Sequence, residues 1–261
     1  MRYVAILLAF ALGFTTAAQA AVTVEEQILQ KGLFAKADCK LDPTDPSYDA
    51  CQCDADIRYP KIRGLNNEAA QASLNASLKH MAEQAICEGK QVADPPKAQG
   101  KDQRSPSSAS HHYEVTFESP SLVAFRVTDW GYSGGAHGNG TVTGAIVDLK
   151  AGKILSLSDI FAEKDMLALN QAIYDVLSSK PEEEVFRDQV ESRKGTFIVG
   201  GVCQGCTLTL APEGIKVVFQ TYEVAPYAAG NTEVTIPVQY VSNPAIVAAL
   251  AEQKKTATEK K

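Results

Sequence analysis

The sequence predicts an α+β fold built on a mostly antiparallel sheet. Strand-like segments with period-two alternation come in runs, and helices stand between the runs instead of alternating with single strands. Short turns such as Ser119-Pro120-Ser121 join successive strands closely enough for hairpins. After the N-terminal segment, no apolar run approaches the ~20 residues of a membrane span.

The elements follow in order. Arg2 precedes an almost wholly apolar stretch from Val4 to Phe14, and small residues stand at Ala18 and Ala20. This is the pattern of a secretory signal peptide over residues 1–20, with the mature chain starting near Ala21. No cysteine sits at the cleavage point, so no lipoprotein anchor is expected. Residues 21–51 hold few large apolar side chains and carry Asp42-Pro-Thr-Asp-Pro46, the signature of an irregular lead-in. Asp56 to Ile62 reads as a strand that Pro60 confines to an edge or an end. Asn66 is placed to cap a helix running to Ile86 with Gly89 as its stop, and Leu74, Leu78, Met81, Ala82 and Ala85 make one apolar face. Residues 91–110 show no periodicity and read as a solvated loop. Tyr113, Val115 and Phe117 alternate with polar residues, as do Val123, Phe125 and Val127 on the return, which gives a hairpin.

Thr141 to Leu149 is a further strand, turned by Lys150-Ala-Gly-Lys153 into Ile154–Leu157. Asp165 is placed to cap a helix with Met166, Leu169, Ile173 and Val176 or Leu177 inward. Pro181 suits a first helical position, and Glu182, Glu183 and Glu184 suit the positive end of a helix. Strands are expected at 195–199, 207–210, 215–221 and 232–237. Asn243 and Pro244 open a terminal helix over 245–252, before a polar tail. The division expected is an N-terminal module over 52–135, a C-terminal module over 136–254 and a flexible tail over 255–261.

The chain has 261 residues and a net charge of −6, which argues against a nucleic-acid partner, since that needs a basic face. A net negative chain associates faster with a basic partner. Six cysteines, Cys39, Cys51, Cys53, Cys87, Cys203 and Cys206, read as disulfides in an exported protein. Cys203 and Cys206 are near enough to pair across a turn, and the other four would staple the N-terminal segment among themselves in a connectivity left open. A zinc site combining Cys51-x-Cys53 with Cys203-x-x-Cys206 competes poorly, because the first spacing is a poor tetrahedral clip. The CxxC does not open a helix, as a thioredoxin-type pair would, but lies between strand-like segments. No metal and no cofactor is expected.

Chemistry concentrates in two connections. The first, Trp130-Gly-Tyr-Ser-Gly-Gly-Ala-His-Gly-Asn-Gly140, holds five glycines and the lone tryptophan of the chain. Glycine at that density lets the backbone approach another surface closely. Trp130, Tyr132, Ser133, Gly134, Gly135, His137 and Asn139 offer apolar ring faces and hydrogen-bonding tips suited to a sugar or a protein. The glycines lead into a strand and not a helix, which excludes a dinucleotide or phosphate loop. Adjacent residues of a strand point opposite ways, so His111 and His112 cannot share one metal. The second connection, Phe219 to Gly230, puts Tyr222 and Tyr227 on either side of Glu223.

Four strings carry a resemblance: Phe117-Glu-Ser-Pro-Ser-Leu-Val-Ala-Phe-Arg-Val127, Tyr132-Ser-Gly-Gly-Ala-His-Gly-Asn139, Asp148-Leu-Lys-Ala-Gly-Lys-Ile-Leu-Ser-Leu-Ser-Asp-Ile-Phe161 and Tyr222-Glu-Val-Ala-Pro-Tyr-Ala-Ala-Gly230. Over about residues 52–240 the chain resembles a family of exported bacterial domains of unknown function. The family includes the ectodomain of the lysozyme-sensing anti-sigma factor RsiV and the module ahead of the catalytic domain in the peptidoglycan deacetylase PdaC. The resemblance implies a non-catalytic α+β module working outside the cytoplasmic membrane. The anti-sigma factor's membrane helix and the deacetylase domain have no counterpart here, so neither signalling nor deacetylation is carried over.

The reading expected to hold is a periplasmic or secreted binding module, not membrane-embedded after signal cleavage. It would contact a lysozyme-like protein or peptidoglycan through Trp130, Tyr132, Ser133, Gly134, Gly135, His137, Asn139, Tyr222, Glu223 and Tyr227. A rival is a small envelope glycan hydrolase using Glu223 with Asp129 or His137. A third reading is a purely structural secreted domain.

Overall fold

The computed structural model describes residues 22–36, 39–42, 51–91, 107–133 and 136–259. The expected signal peptide lies outside the described residues. A seven-stranded sheet dominates, built from β1 (Thr23–Lys36), β2 (Gln52–Arg63), β3 (Gly89–Gln91), β4 (Ser107–Glu118), β5 (Leu122–Tyr132), β6 (Asn139–Asp148) and β7 (Lys153–Ile154). Its order is β3-β1-β2-β4-β5-β6-β7. All neighbours are antiparallel except β2 and β4, which pair in parallel from Cys53 with Ser107 to Ile57 with His111. Within the expected irregular lead-in, Thr23–Lys36 instead form β1, a 14-residue strand paired with β2 along most of its length.

Alternation along β5 assigns the two faces of this sheet. Val123, Phe125 and Val127 point to α1 (Glu68–Glu83), where they pack with Leu74 and Leu78. Leu122 and Ala124 point the other way, into a second layer. The run Leu122–Phe125 is therefore buried on both faces, and each large apolar side chain there contributes roughly 1.5–3 kcal/mol. A register shift between Val115 and Phe117 turns Phe117 inward to the second layer and leaves Val115 exposed, against the simple alternation. Asn67, one residue later than expected, caps α1 by accepting from the Ala70 amide at 3.0 Å.

The second layer begins with α2 (Leu157–Ile160) and α3 (Met166–Ser179), followed by α4 (Arg187–Ser192). A two-residue hairpin joins β8 (Ile198–Val199) to β9 (Val202–Cys203). A three-stranded sheet of β10 (Cys206–Ala211), β11 (Gly214–Phe219) and β12 (Thr232–Ile236) comes next, and α5 (Pro244–Glu259) closes the chain. The acidic triplet Glu182–Glu184 forms a 3-10 turn after Pro181 and not the start of an α-helix. The terminal helix runs to Glu259, so the expected tail from 255 is largely helical. Its opening is as expected: the Asn243 side chain accepts from the amides of Ala245 and Ile246.

The boundary expected after residue 135 falls between β5 and β6, which pair along ten positions of one sheet. Leu122, Ala124 and Ile146 of that sheet share a core with Leu169, Ile173, Phe219 and Ile246 of the second layer. Gly144 makes this approach possible, since a Cβ there would overlap the Leu208 carbonyl oxygen. Glu233 on β12 ion-pairs with Arg126 on β5 and with Lys216 on β11, 3.2 Å away. Burial pushes the Glu233 carboxyl up, but the two cations more than offset this and hold it below the usual range. All six cysteines pair: Cys39 with Cys51, Cys53 with Cys87 and Cys203 with Cys206.

Candidate functional site

The parity that sends Leu122 and Ala124 into the second layer also governs Trp130 and Tyr132, which lie on the same face of β5. Their rings stack at 13° with centroids 6.4 Å apart. Gly138 lies against the Trp130 indole, where a Cβ would overlap the ring. The Gly138 carbonyl then accepts two hydrogen bonds, from His137 Nδ1 at 2.9 Å and from the Tyr227 hydroxyl at 3.3 Å. His137 stacks on Tyr227 with centroids 4.6 Å apart, and Tyr222 tilts against Tyr227 at 5.7 Å. Five rings from two connections, more than 80 residues apart in sequence, thus form an aromatic row in two groups, Tyr132 with Trp130 and His137 with Tyr227 and Tyr222, joined through the Gly138 backbone. Trp130 is 40% exposed, Tyr222 50% and Tyr227 37%.

The two connections meet because side chains finish the free edge of β6. Beyond β7, which pairs only with Val147 and Asp148, the edge carries unpaired backbone groups that need partners. The Gln220 side chain behaves like a strand residue there. Its Oε1 accepts from the Val142 amide at 2.9 Å and its Nε2 donates to the Val142 carbonyl at 2.6 Å. One step along, Thr207 Oγ1 accepts from the Gly144 amide at 2.9 Å. Gln220 thereby anchors the turn that starts at Thr221.

In that turn Tyr222 has φ 70°, a left-handed conformation a bulky side chain rarely adopts. Arg193 holds the turn in place. It donates to the Glu223 carbonyl at 3.3 Å, to Glu223 Oε2 at 3.1 Å and to the Gln204 carbonyl. Its guanidinium lies over the rings of Phe197 and Phe219. The Glu223 carboxylate rests on Gly205, itself at φ 59°, where a Cβ would overlap it. Arg193, Gln220, Gly138 and Gly205 were not singled out by sequence. Nothing local marks Arg193 or Gln220, whose roles arise from contacts across 30 and 78 residues.

Of the expected residues, Trp130, Tyr132, His137, Tyr222 and Tyr227 form the row, Glu223 borders it through the turn, and Ser133 and Asn139 are exposed at the ends of β5 and β6. Gly134 and Gly135 lie outside the described residues. Asp129 departs from the rival pairing. It shares the α1-facing parity of Val127, and there it accepts from Nδ1 of the buried His111 at 2.6 Å. The sheet therefore lies between Asp129 and Glu223. His112 points the other way, 3.7 Å from Asp56. Two clefts are present, one of about 670 Å³ in the second layer and one of about 330 Å³ between that layer and β6 at Gly144 and Ile146. One carboxylate, Glu163, lines the larger and none lines the smaller, so neither presents a carboxylate pair.

Residues 48–140 match the family model described as Deacetylase PdaC, and residues 158–239 match that of a protein of unknown function, DUF3298. No curated protein matches the chain. Among solved structures, a DUF3298 family member from Bacteroides fragilis superposes with a TM-score of 0.59 at 16% identity, covering 90% of this chain and 99% of that one. A DUF3298 family protein from Pseudomonas aeruginosa gives 0.49 at 13% identity, covering 87% and 97%. The first of these shares the fold. Sequence and fold together are consistent with a DUF3298/PdaC-type domain.

Proposed function

We infer that this chain is a binding module of the cell envelope, which contacts a lysozyme-like protein or peptidoglycan through the aromatic row and performs no chemistry there. The observation that carries the reading is the junction at Gly138, where two remote connections gather five rings on one surface. Rings partly open to solvent, with polar tips at their edges, are the composition of recognition surfaces. The left-handed Tyr222 supports this too, because a conformation strained by about 1–3 kcal/mol holds its half-exposed ring out beside Tyr227. The match of residues 48–140 to a peptidoglycan deacetylase family supports an envelope setting, as does the export signal expected over residues 1–20.

The test is retention of the purified chain, without residues 1–20, by peptidoglycan sacculi and by immobilised lysozyme. Wild type is expected to be retained by one of them, and Trp130→Ala to lose most of that retention while still unfolding in one cooperative transition. Undiminished retention of Trp130→Ala, or glycan cleavage by the wild-type chain, would overturn the reading.

A further inference from the structure

We propose that the aromatic row is a stacking platform for an uncharged linear saccharide chain, in preference to a folded protein. The inference rests on the reading of the row as the recognition face and names the ligand class.

The layout of the rings is the first ground. Tyr132 and Trp130 form one ring group and His137, Tyr227 and Tyr222 the other, and the two meet at Gly138. Neither cleft is lined by any of them. Rings that line neither cleft suit an extended ligand that meets several of them in turn. A protein partner's anchoring side chain would need an enclosed, desolvated hole, and neither cleft offers one beside these rings.

Ring chemistry is the second. Each aromatic presents an electron-rich face and a polar rim, and a pyranose presents the matching pair, a face of C–H groups and edges of hydroxyls. Exposed Ser133 and Asn139 beside the row supply donors and acceptors for those edges.

Charge is the third. The carboxylate of the second connection, Glu223, is neutralised by Arg193 at 3.1 Å. The carboxylate next to Trp130 in sequence, Asp129, faces α1 and is bonded to His111. A surface whose neighbouring charges are satisfied internally complements a neutral ligand and has little to offer a strongly basic protein. Tyr222 is already held in its exposed position by the turn, so less ordering is needed on binding.

Trp130 is the lone tryptophan, so its emission reports on the row directly. The chain without residues 1–20 would be titrated with β-1,4-linked N-acetylglucosamine oligomers from dimer to hexamer, and separately passed over immobilised lysozyme. Saturable change in Trp130 emission is expected, with affinity rising about tenfold or more from dimer to hexamer. Tyr222→Ala and Tyr227→Ala are each expected to weaken hexamer binding by about three- to tenfold, and Tyr222→Phe to stay within about twofold, since the ring face does the stacking. Lysozyme retained by wild type and released by Tyr227→Ala, with no response to the hexamer, would overturn the saccharide assignment and leave the row as a recognition face. Binding of the hexamer unaffected by either alanine variant, or no binding of hexamer or lysozyme, would overturn both. The half-exposed Tyr222 removes little packing when replaced, so Tyr222→Ala keeps the test valid if Tyr227→Ala fails to fold.

Discussion

Gly138 does most of the work at the scale of single residues. Its missing side chain admits the Trp130 indole, and its carbonyl holds His137 and Tyr227. Gly138→Ala is therefore expected to push the indole outward. Trp130 emission should shift to the red and its quenching by acrylamide should rise, with only a modest fall in melting temperature, since the site is at the surface. An unchanged spectrum would show that the indole does not depend on that glycine. The glycine-rich stretch was legible as a candidate because of its density, yet density could not say which glycine matters. That depends on the pairing of Trp130 with Gly140 across β5 and β6, a register set by long-range ladders.

Among elements, α2 shows how local chemistry overrides a plausible pattern. Ile154 to Leu157 reads as the continuation of a strand, but β7 ends at Ile154. Ser156 and Asp159 form a capping box: Asp159 accepts from the Ser156 amide at 2.8 Å and from its hydroxyl at 2.7 Å. Bonds from Lys153 and from the Ser156 hydroxyl and amide bring the Asp159 carboxyl down from 3.8 to about 2. A carboxyl with a depressed folded pKa stabilises the fold fully above its unfolded value and ceases to do so as pH falls through the folded one. Asp159→Asn is expected to cost about 1 kcal/mol near neutral pH. In urea denaturation its deficit against wild type should shrink as pH is taken from 5 towards 2. A deficit independent of pH over that range would rule out this carboxylate as the source. The Ser-x-x-Asp spacing was present in the sequence, but apolar residues on both sides masked it.

For the molecule as a whole, three disulfides divide unevenly between the two layers. Cys39–Cys51 and Cys53–Cys87 tie β1, β2 and the segment before β3, while Cys203–Cys206 spans only a turn. Loop-closure entropy makes the longer loop the more stabilising: roughly 4 kcal/mol for Cys53–Cys87 and roughly 2 kcal/mol for Cys203–Cys206. Replacing both members of each pair by serine should reproduce that order in equilibrium unfolding, and the reverse order would contradict it. The core shared by β5, β6 and the second layer makes a single transition the expected form of that unfolding.

What could be read from sequence alone was whatever depends on near neighbours. The strands of the main hairpin, the apolar face of α1, the Cys203–Cys206 turn and the aromatic content of the two connections all follow from periodicity or short spacing. The tertiary structure decided which face of the sheet each strand residue joins. It thereby linked Trp130 to Tyr227 through Gly138, sent Asp129 to the other side and gave Gln220 and Arg193 their roles. A side chain's face alternates with every step along a strand, so its partners are settled only when distant strands lock into register.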